Sequence, residues 1–343
     1  MNLKQLSQNL GLSQTTVSRA LNGYPEVSES TRHRVQTAAK QFNYTPNTRA
    51  KGLATGRSMT IGHVIPVSTK HEMVNPIFGD FIAGAGESYS KAGYDMILSI
   101  VDDADEASAY ENLVAKRAID GIILHGPRLD DPRIALLQKL GLPFVVHGRV
   151  SDTGQPYSWL DVNNRRSFQR ATEFLLQLGH RRIALINGLE TMDFAARRRS
   201  GFEAAMTARG LKVDPDLMQS NEMTEVYGHQ AAKAMLAGPT PPTAFLVSSM
   251  IPAFGVRRAI EEAGYVMGRD ISVICHDDAL SYFETDEDVP VFTATRSSVR
   301  DAGRQAADML LRKIANPLSA QTETTLLEAQ LIVGGSTGVC TAS

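Results

Sequence analysis

Residues 11–23 read Gly11-Leu12-Ser13-Gln14-Thr15-Thr16-Val17-Ser18-Arg19-Ala20-Leu21-Asn22-Gly23. A glycine that stops one helix, a serine that can cap the next, and Val17, Ala20 and Leu21 at helical spacing predict a helix over 13–22 entered from a tight turn. Upstream, Asn2 caps a first helix with Leu3, Leu6 and Leu10 inward, and Gly11 ends it. Downstream, Asn22-Gly23-Tyr24-Pro25 is a turn signal. Ser28 then opens a third helix with Val35, Ala38, Ala39 and Phe42 inward, ending before Pro46. Helix, glycine-containing turn, helix is the helix-turn-helix pattern. The outer face of helix 13–22 carries Gln14, Thr15, Ser18 and Arg19, which are able to reach base edges or phosphates from a major groove.

Charge agrees with this reading. Residues 1–58 contain eight basic side chains, Arg32, Arg34 and Lys40 among them, against only Glu26 and Glu29, a balance of +6. The whole 343-residue chain carries −2, so the remainder carries −8. A basic head on an acidic body is the footprint of polyanion binding by one small domain. With 43% hydrophobic and 21% charged residues the chain is globular, and a disordered or fibrous protein is excluded. No apolar run approaches the ~18–20 residues that span a bilayer. The first residues lack a signal-peptide pattern, so a cytoplasmic protein without membrane contact is expected. Cys275 and Cys340 form no CxxC pair, and neither a metal nor a cofactor is expected.

Segment 46–58 is polar, basic and linker-like. From Ile61, apolar runs at 61–67, 95–101, 121–125, 143–147, 183–187, 244–248 and 271–276 alternate with helical patterns. Those patterns lie near 78–92, 106–117, 132–140, 165–178, 196–209, 226–237 and 252–263, before a helix at 299–315 and one last strand near 326–333. Such alternation means parallel sheets covered on both faces, and about nine strands call for two sheets. The predicted fold is an all-α helix-turn-helix head (1–45), a linker (46–58) and an α/β body (59–343) of two doubly wound parallel-sheet lobes. A ligand site belongs at the carboxyl ends of the strands, in the cleft between lobes.

The stretch 11–23 resembles the head signature of the lactose-repressor (LacI/GalR) family. Val27-Ser28, Thr31-Arg32, Val35, Asn43-Tyr44-Thr45-Pro46-Asn47 and Arg49-Ala50-Lys51-Gly52-Leu53-Ala54-Thr55-Gly56 continue it. Asp161-Val162-Asn163-Asn164, Leu178-Gly179-His180 and Arg198-Arg199-Ser200-Gly201-Phe202 echo it in the body. The resemblance implies a homodimeric transcriptional repressor on a pseudo-palindromic operator, with a body like periplasmic sugar-binding proteins. Its lobes would be 60–160 with 296–323, and 161–295 with 324–338. It also implies DNA contacts by Ser13, Gln14, Thr15, Thr16, Ser18, Arg19, Asn22, Tyr44, Asn47, Lys51, Leu53 and Ala54. Segment 46–58 would be a hinge helix, and Leu53 matches the leucine that wedges into the minor groove.

In the cleft, Arg198 matches an arginine that holds ligand oxygens, and Asp277 a carboxylate that accepts sugar hydroxyls. Trp159 matches an aromatic that packs on ligand, and Arg149, Phe194, Met223 and Ser249 join the expected set. Asp278 fits a helix cap and His147 a core histidine. Ser249-Met250 departs from the family's usual Asn-Asp, and the loop 67–74 looks longer than usual. His147-Gly148-Arg149 and His276-Asp277-Asp278 look most like repressors of α-glucoside operons, so an α-glucoside effector is expected. A purine or sugar-phosphate effector, an activator role, or a sugar receptor without DNA function are the alternatives.

An enzyme reading is weaker. Gly334-Gly335-Ser336-Thr337-Gly338 matches GxSxG, but no helix-length segment, aspartate or histidine follows it. Asp286-Glu287-Asp288 lacks EF-hand spacing, and no P-loop or HExxH occurs. Leu53→Ala is expected to abolish specific operator binding in a gel shift while sedimentation still reports a dimer; unchanged operator affinity would rule out a minor-groove wedge.

Overall fold

A computed structural model describes residues 1–21, 23–44, 56–66, 76–151, 154–283, 288–317 and 321–341. The chain forms two compact units, Met1–Met59 and Thr60–Ser343. Most of the expected linker, residues 45–55, lies outside the described residues, as does the loop 67–75.

The head folds as α1 (Leu3–Leu10), α2 (Gln14–Leu21) and α3 (Glu29–Gln41). Asn2 and Gln5 form a reciprocal capping box, and Gly11 closes α1 at φ 65°, a left-handed conformation that glycine adopts without strain. Ser13 Oγ accepts from Thr16 N at 3.0 Å and Ser28 Oγ from Thr31 N at 3.3 Å, so each following helix is capped by the expected serine. Leu6, Leu10, Val17, Ala20, Val27, Val35, Ala38 and Ala39 close one small core. Phe42, expected inward, stands exposed, because α3 ends at Gln41 and the phenylalanine sits at its C-cap.

The body contains β1 (Thr60–Pro66), β2 (Asp95–Val101), β3 (Gly121–His125), β4 (Phe144–His147), β5 (Trp159–Val162), β6 (Ile183–Asn187), β7 (Met218–Ser220), β8 (Ala244–Val247), β9 (Ser272–Asp277), β10 (Thr293–Arg296), β11 (Thr324–Leu327) and β12 (Gln330–Ile332). One sheet runs β2-β1-β3-β4-β5-β11 and the other β7-β6-β8-β9-β10-β12. Strands pair in parallel except for β10 with β12. Both sheets reverse winding beside their first strand, which opens a crevice at the carboxyl ends.

The helices of the body are α4 (Pro76–Ala92), α5 (Glu106–Ala115), α6 (Pro132–Lys139), α7 (Asn164–Gln177), α8 (Asp193–Ala208), α9 (Glu225–Leu236), α10 (Met250–Glu262) and α11 (Val299–Ala315). Each sheet carries an apolar cluster on either face. Phe81, Tyr89 and Leu310 mark one face of the first sheet, and Tyr110, Ile134 and Leu137 the other. Among the described residues no helix is long and apolar enough to cross a membrane.

The expected last strand at 326–333 is two strands in different sheets. Thr324 pairs with Trp159, so residues 324–327 belong to the first lobe and not to the second. Leu331 pairs with Thr295 in the second sheet, so the chain changes lobe between β11 and β12. Residues 161 and 162 finish β5 in the first lobe, and Arg296 finishes β10 in the second.

Two helix pairs make reciprocal backbone-to-backbone approaches at glycine. A Cβ on Gly84 in α4 would lie 1.9 Å from Arg300 O, and one on Gly303 in α11 would lie 2.1 Å from Phe81 O. Gly228 in α9 and Gly255 in α10 make the same reciprocal approach, to Pro252 O at 2.1 Å and Glu225 O at 2.0 Å. None of these four helix carbonyls can move without straining its own helix bond. Gly303→Ala is therefore expected to cost ~1–3 kcal/mol or more. A urea titration checks this: the midpoint falls at constant m, and an unshifted midpoint contradicts the close packing.

Candidate functional site

On the head, Gln14, Thr15 and Arg19 are exposed along the outer face of α2. Ser13 is exposed and Thr16 half-buried, and their hydroxyls share a 2.8 Å hydrogen bond in the cap of α2. Ser18 is half-buried, and Tyr44 packs against the head core. Asn22, Asn47, Lys51, Leu53 and Ala54 lie outside the described residues.

In the body, the carboxyl ends of both sheets converge on one cavity. His125 and Gly126 line it after β3, His147 and Arg149 after β4, Asp161 and Asn164 around the end of β5. Ser248 and Ser249 face it from β8, His276 and Asp278 from β9. Phe78, Phe81 and Phe194 supply aromatic wall, and Met192 and Met223 supply thioethers. Of the expected effector residues, Arg149, Phe194, Arg198, Met223 and Ser249 meet here.

Arg198 is its most constrained group. The guanidinium lies 5.0 Å from the centre of the Phe194 ring and 5.1 Å from that of Phe168. Its Nε donates to Asn164 Oδ1 at 2.8 Å, and its Nη1 donates to Ser248 O. Burial lowers its pKa to about 10, opposed by the carboxylates of Asp278 and Asp161. The side chain is still charged at neutral pH.

Two expected ligand residues are not among the cavity-lining set. Asp277 accepts from Arg296 Nε at 2.7 Å and from Ala279 N at 2.8 Å, so both oxygens are engaged. Arg296 is its cross-strand neighbour in β10. Side chains alternate along a strand, and the residue that reaches the cavity is Asp278, which the sequence reading assigned to capping. His276 Nε2 approaches Asp278 Oδ1 at 3.5 Å. Trp159 packs with the core of the first lobe, and its ring lies 5.1 Å below the Arg149 guanidinium. It supports the arginine, which donates to Asp161 Oδ2 at 2.9 Å.

His125, Asp161, Asn164, Ser248 and His276 were not singled out as ligand residues. Their shared signal is position: a polar residue at or just past the carboxyl end of a buried apolar strand. On either side of the cavity a carboxylate ties the lobes. Ser281 N and Oγ donate to Asp80, at 2.7 and 2.8 Å, and Ser151 N and Oγ donate to Asp193, at 2.9 and 2.8 Å. Ser336, centre of the GxSxG match, is fully buried and donates to Val273 O at 2.6 Å; its hydroxyl packs the core.

Burial raises the Asp161 carboxyl to about 6, although Arg149 and Arg197 pull it down. A carboxyl whose folded pKa exceeds its unfolded value destabilises the fold above the folded pKa. That cost fades as pH falls through about 6 toward the unfolded value near 4. The difference in thermal stability between Asp161→Asn and the natural chain is expected to favour the variant more at pH 7.5 than at pH 4.5. A difference that does not change with pH in calorimetry would refute the raised carboxyl.

Residues 58–333 match the family model described as periplasmic binding proteins and sugar binding domain of LacI family. Residues 2–47 match bacterial regulatory proteins, lacI family. The HTH-type transcriptional regulator AglR of Rhizobium meliloti is 43% identical, covering 98% of this chain and 94% of its own. The regulator RafR of Escherichia coli is 35% identical, covering 94% and 95%. The lac repressor dimer bound to operator and the anti-inducer ONPF superposes with a TM-score of 0.83 at 26% identity, covering 98% of this chain and 99% of that one. A CelR–cellobiose complex superposes with a TM-score of 0.72, also at 26% identity, covering 98% and 99%. From its capped three-helix head to its two parallel-sheet lobes, the chain belongs to the lacI family of bacterial regulatory proteins.

Proposed function

We propose that this protein is a transcriptional repressor that grips operator DNA through α2 and releases it when a sugar of the α-glucoside class occupies the body cavity. The observation that carries the reading is the cavity's mixed wall. Arg198 and Asp278 offer a charged donor and a charged acceptor, while Phe78, Phe81 and Phe194 offer apolar faces. A sugar ring has the same division, with hydroxyls around its edge and C–H groups on its faces. The solved cellobiose complex of a fold relative supports a saccharide in this place.

Release follows from closure. A ligand shifts the protein only by binding one state better. Arg198 and Asp278 belong to the second lobe, and His147 and Arg149 to the first. A sugar touching both sets stabilises the lobe separation at which they all reach it. The dimer is part of the same proposal. Met96, Leu98 and Ile100 stand exposed in a row along the edge strand β2, an apolar face suited to a second copy.

A gel shift with the upstream DNA, titrated with maltose, sucrose and trehalose, tests the reading. Asp278→Asn should still bind operator but need at least about tenfold more sugar for release, the effect of losing ~1.5–3 kcal/mol of charged hydrogen bonding. Asp277→Asn should lower thermal stability and leave release intact. Normal release by Asp278→Asn sinks the assignment of that carboxylate.

A further inference from the structure

The first-lobe wall of the cavity holds a hydrogen-bonded chain that the sugar reading leaves unused. Tyr89 Oη lies 3.2 Å from His63 Nε2, and His63 Nδ1 lies 2.8 Å from His125 Nε2. Tyr89 and His63 are sealed in the lobe, while His125 lines the cavity. Burial lowers His63 to about 3 and takes His125 well below its ordinary value, with His63, His147 and Arg133 adding to the effect. Both rings are therefore neutral, and each carries one N–H and one acceptor nitrogen.

Two proton arrangements satisfy the bond between the histidines. In the first, Tyr89 donates to His63 Nε2, His63 Nδ1–H donates to His125 Nε2, and His125 carries its proton on Nδ1. In the second, His125 Nε2–H donates to His63 Nδ1, and His63 Nε2–H donates to Tyr89 Oη. The tyrosine hydrogen then has nowhere to go, because the hydroxyl has no other partner among the described residues. A buried O–H without an acceptor is disfavoured, so the first arrangement prevails. Its open end is His125 Nδ1. That nitrogen has no hydrogen bond among the described residues, yet it is not sealed: among those residues the sealed, unpartnered side-chain atoms are Arg32 Nε and Ser167 Oγ.

We propose that Tyr89, acting through His63, fixes His125 as an Nδ1–H donor facing the cavity, so that the effector is selected for an acceptor oxygen at that place. His125 is the specificity contact; His63 and Tyr89 are positioning residues. A saccharide hydroxyl, ring or ether oxygen meets this demand, and an ammonium or amide N–H does not. Arg133 steadies the backbone beneath, donating from Nη2 to the carbonyls of His125 at 3.3 Å and Gly126 at 3.1 Å. His147 faces the same cavity but makes no side-chain hydrogen bond among the described residues, so no neighbour sets its tautomer. What occupies the cavity rests on the proposed function; the tautomer is a property of the free protein.

Long-range proton–nitrogen NMR of the histidine rings in the ligand-free protein and in Tyr89→Phe tests this. The expected result is an Nδ1–H tautomer at both His63 and His125, with His147 as internal reference. In Tyr89→Phe the two ring nitrogens of His63 and of His125 should move toward a common shift while His147 stays in place. An Nε2–H tautomer at His125, or an unchanged His125 signal in Tyr89→Phe, overturns the proposal. Calorimetry with maltose adds a second readout, with binding about tenfold weaker in Tyr89→Phe, a loss of ~1.4 kcal/mol. If maltose binds neither protein, the effector reading is what fails, and the ring signals still decide the relay.

Discussion

A charged guanidinium buried in a protein has to be matched by oxygens and flanked by polarisable surface, and the cavity is built around that demand at Arg198. Taking such a charge out of water costs several kcal/mol before compensation. Compensation comes from three elements at once: Asn164 at the start of α7, Ser248 at the end of β8, and the rings of Phe168 and Phe194 on α7 and α8. Asn164 in turn donates to Asp161 Oδ1 at 3.2 Å, and Asp161 receives Arg149. One buried cation thus links the end of β5 in the first lobe to β8 in the second.

Much of this was legible in the sequence where the physics is local. Asn2, Ser13 and Ser28 cap the helices they were expected to cap, because capping needs only a side-chain oxygen two or three residues before an unpaired N–H. Buried strands such as β3, β6 and β8 read as unbroken apolar runs. The strands β7, Met218–Ser220, and β10, Thr293–Arg296, carry polar residues and gave no such run. Thr293 and Thr295 are nevertheless buried, since their hydroxyls bond to Gly334 O and to His276.

The cleft was less legible, for a reason tied to the strand repeat. Asp277 and Asp278 are neighbours, and sequence alone does not say which one falls on the cavity side. A shift of one residue exchanges the ligand group with the structural one. The strand register, Arg296 opposite Asp277, decides it. Similarly, nothing in the sequence marks His125; its ring gains a role only once His63 is seen to bond to it and Tyr89 to His63.

The chain passes between the lobes three times, between β5 and α7, between β10 and α11, and between β11 and β12. A single tether lets two bodies swivel and separate, whereas three side-by-side tethers allow little except bending about the line that joins them. The arrangement also has a topological result. A protease that severs any one crossing divides the chain into two pieces held together by packing, with two unbroken crossings still running between the lobes. The cut chain can therefore keep its cavity, with both walls still in register.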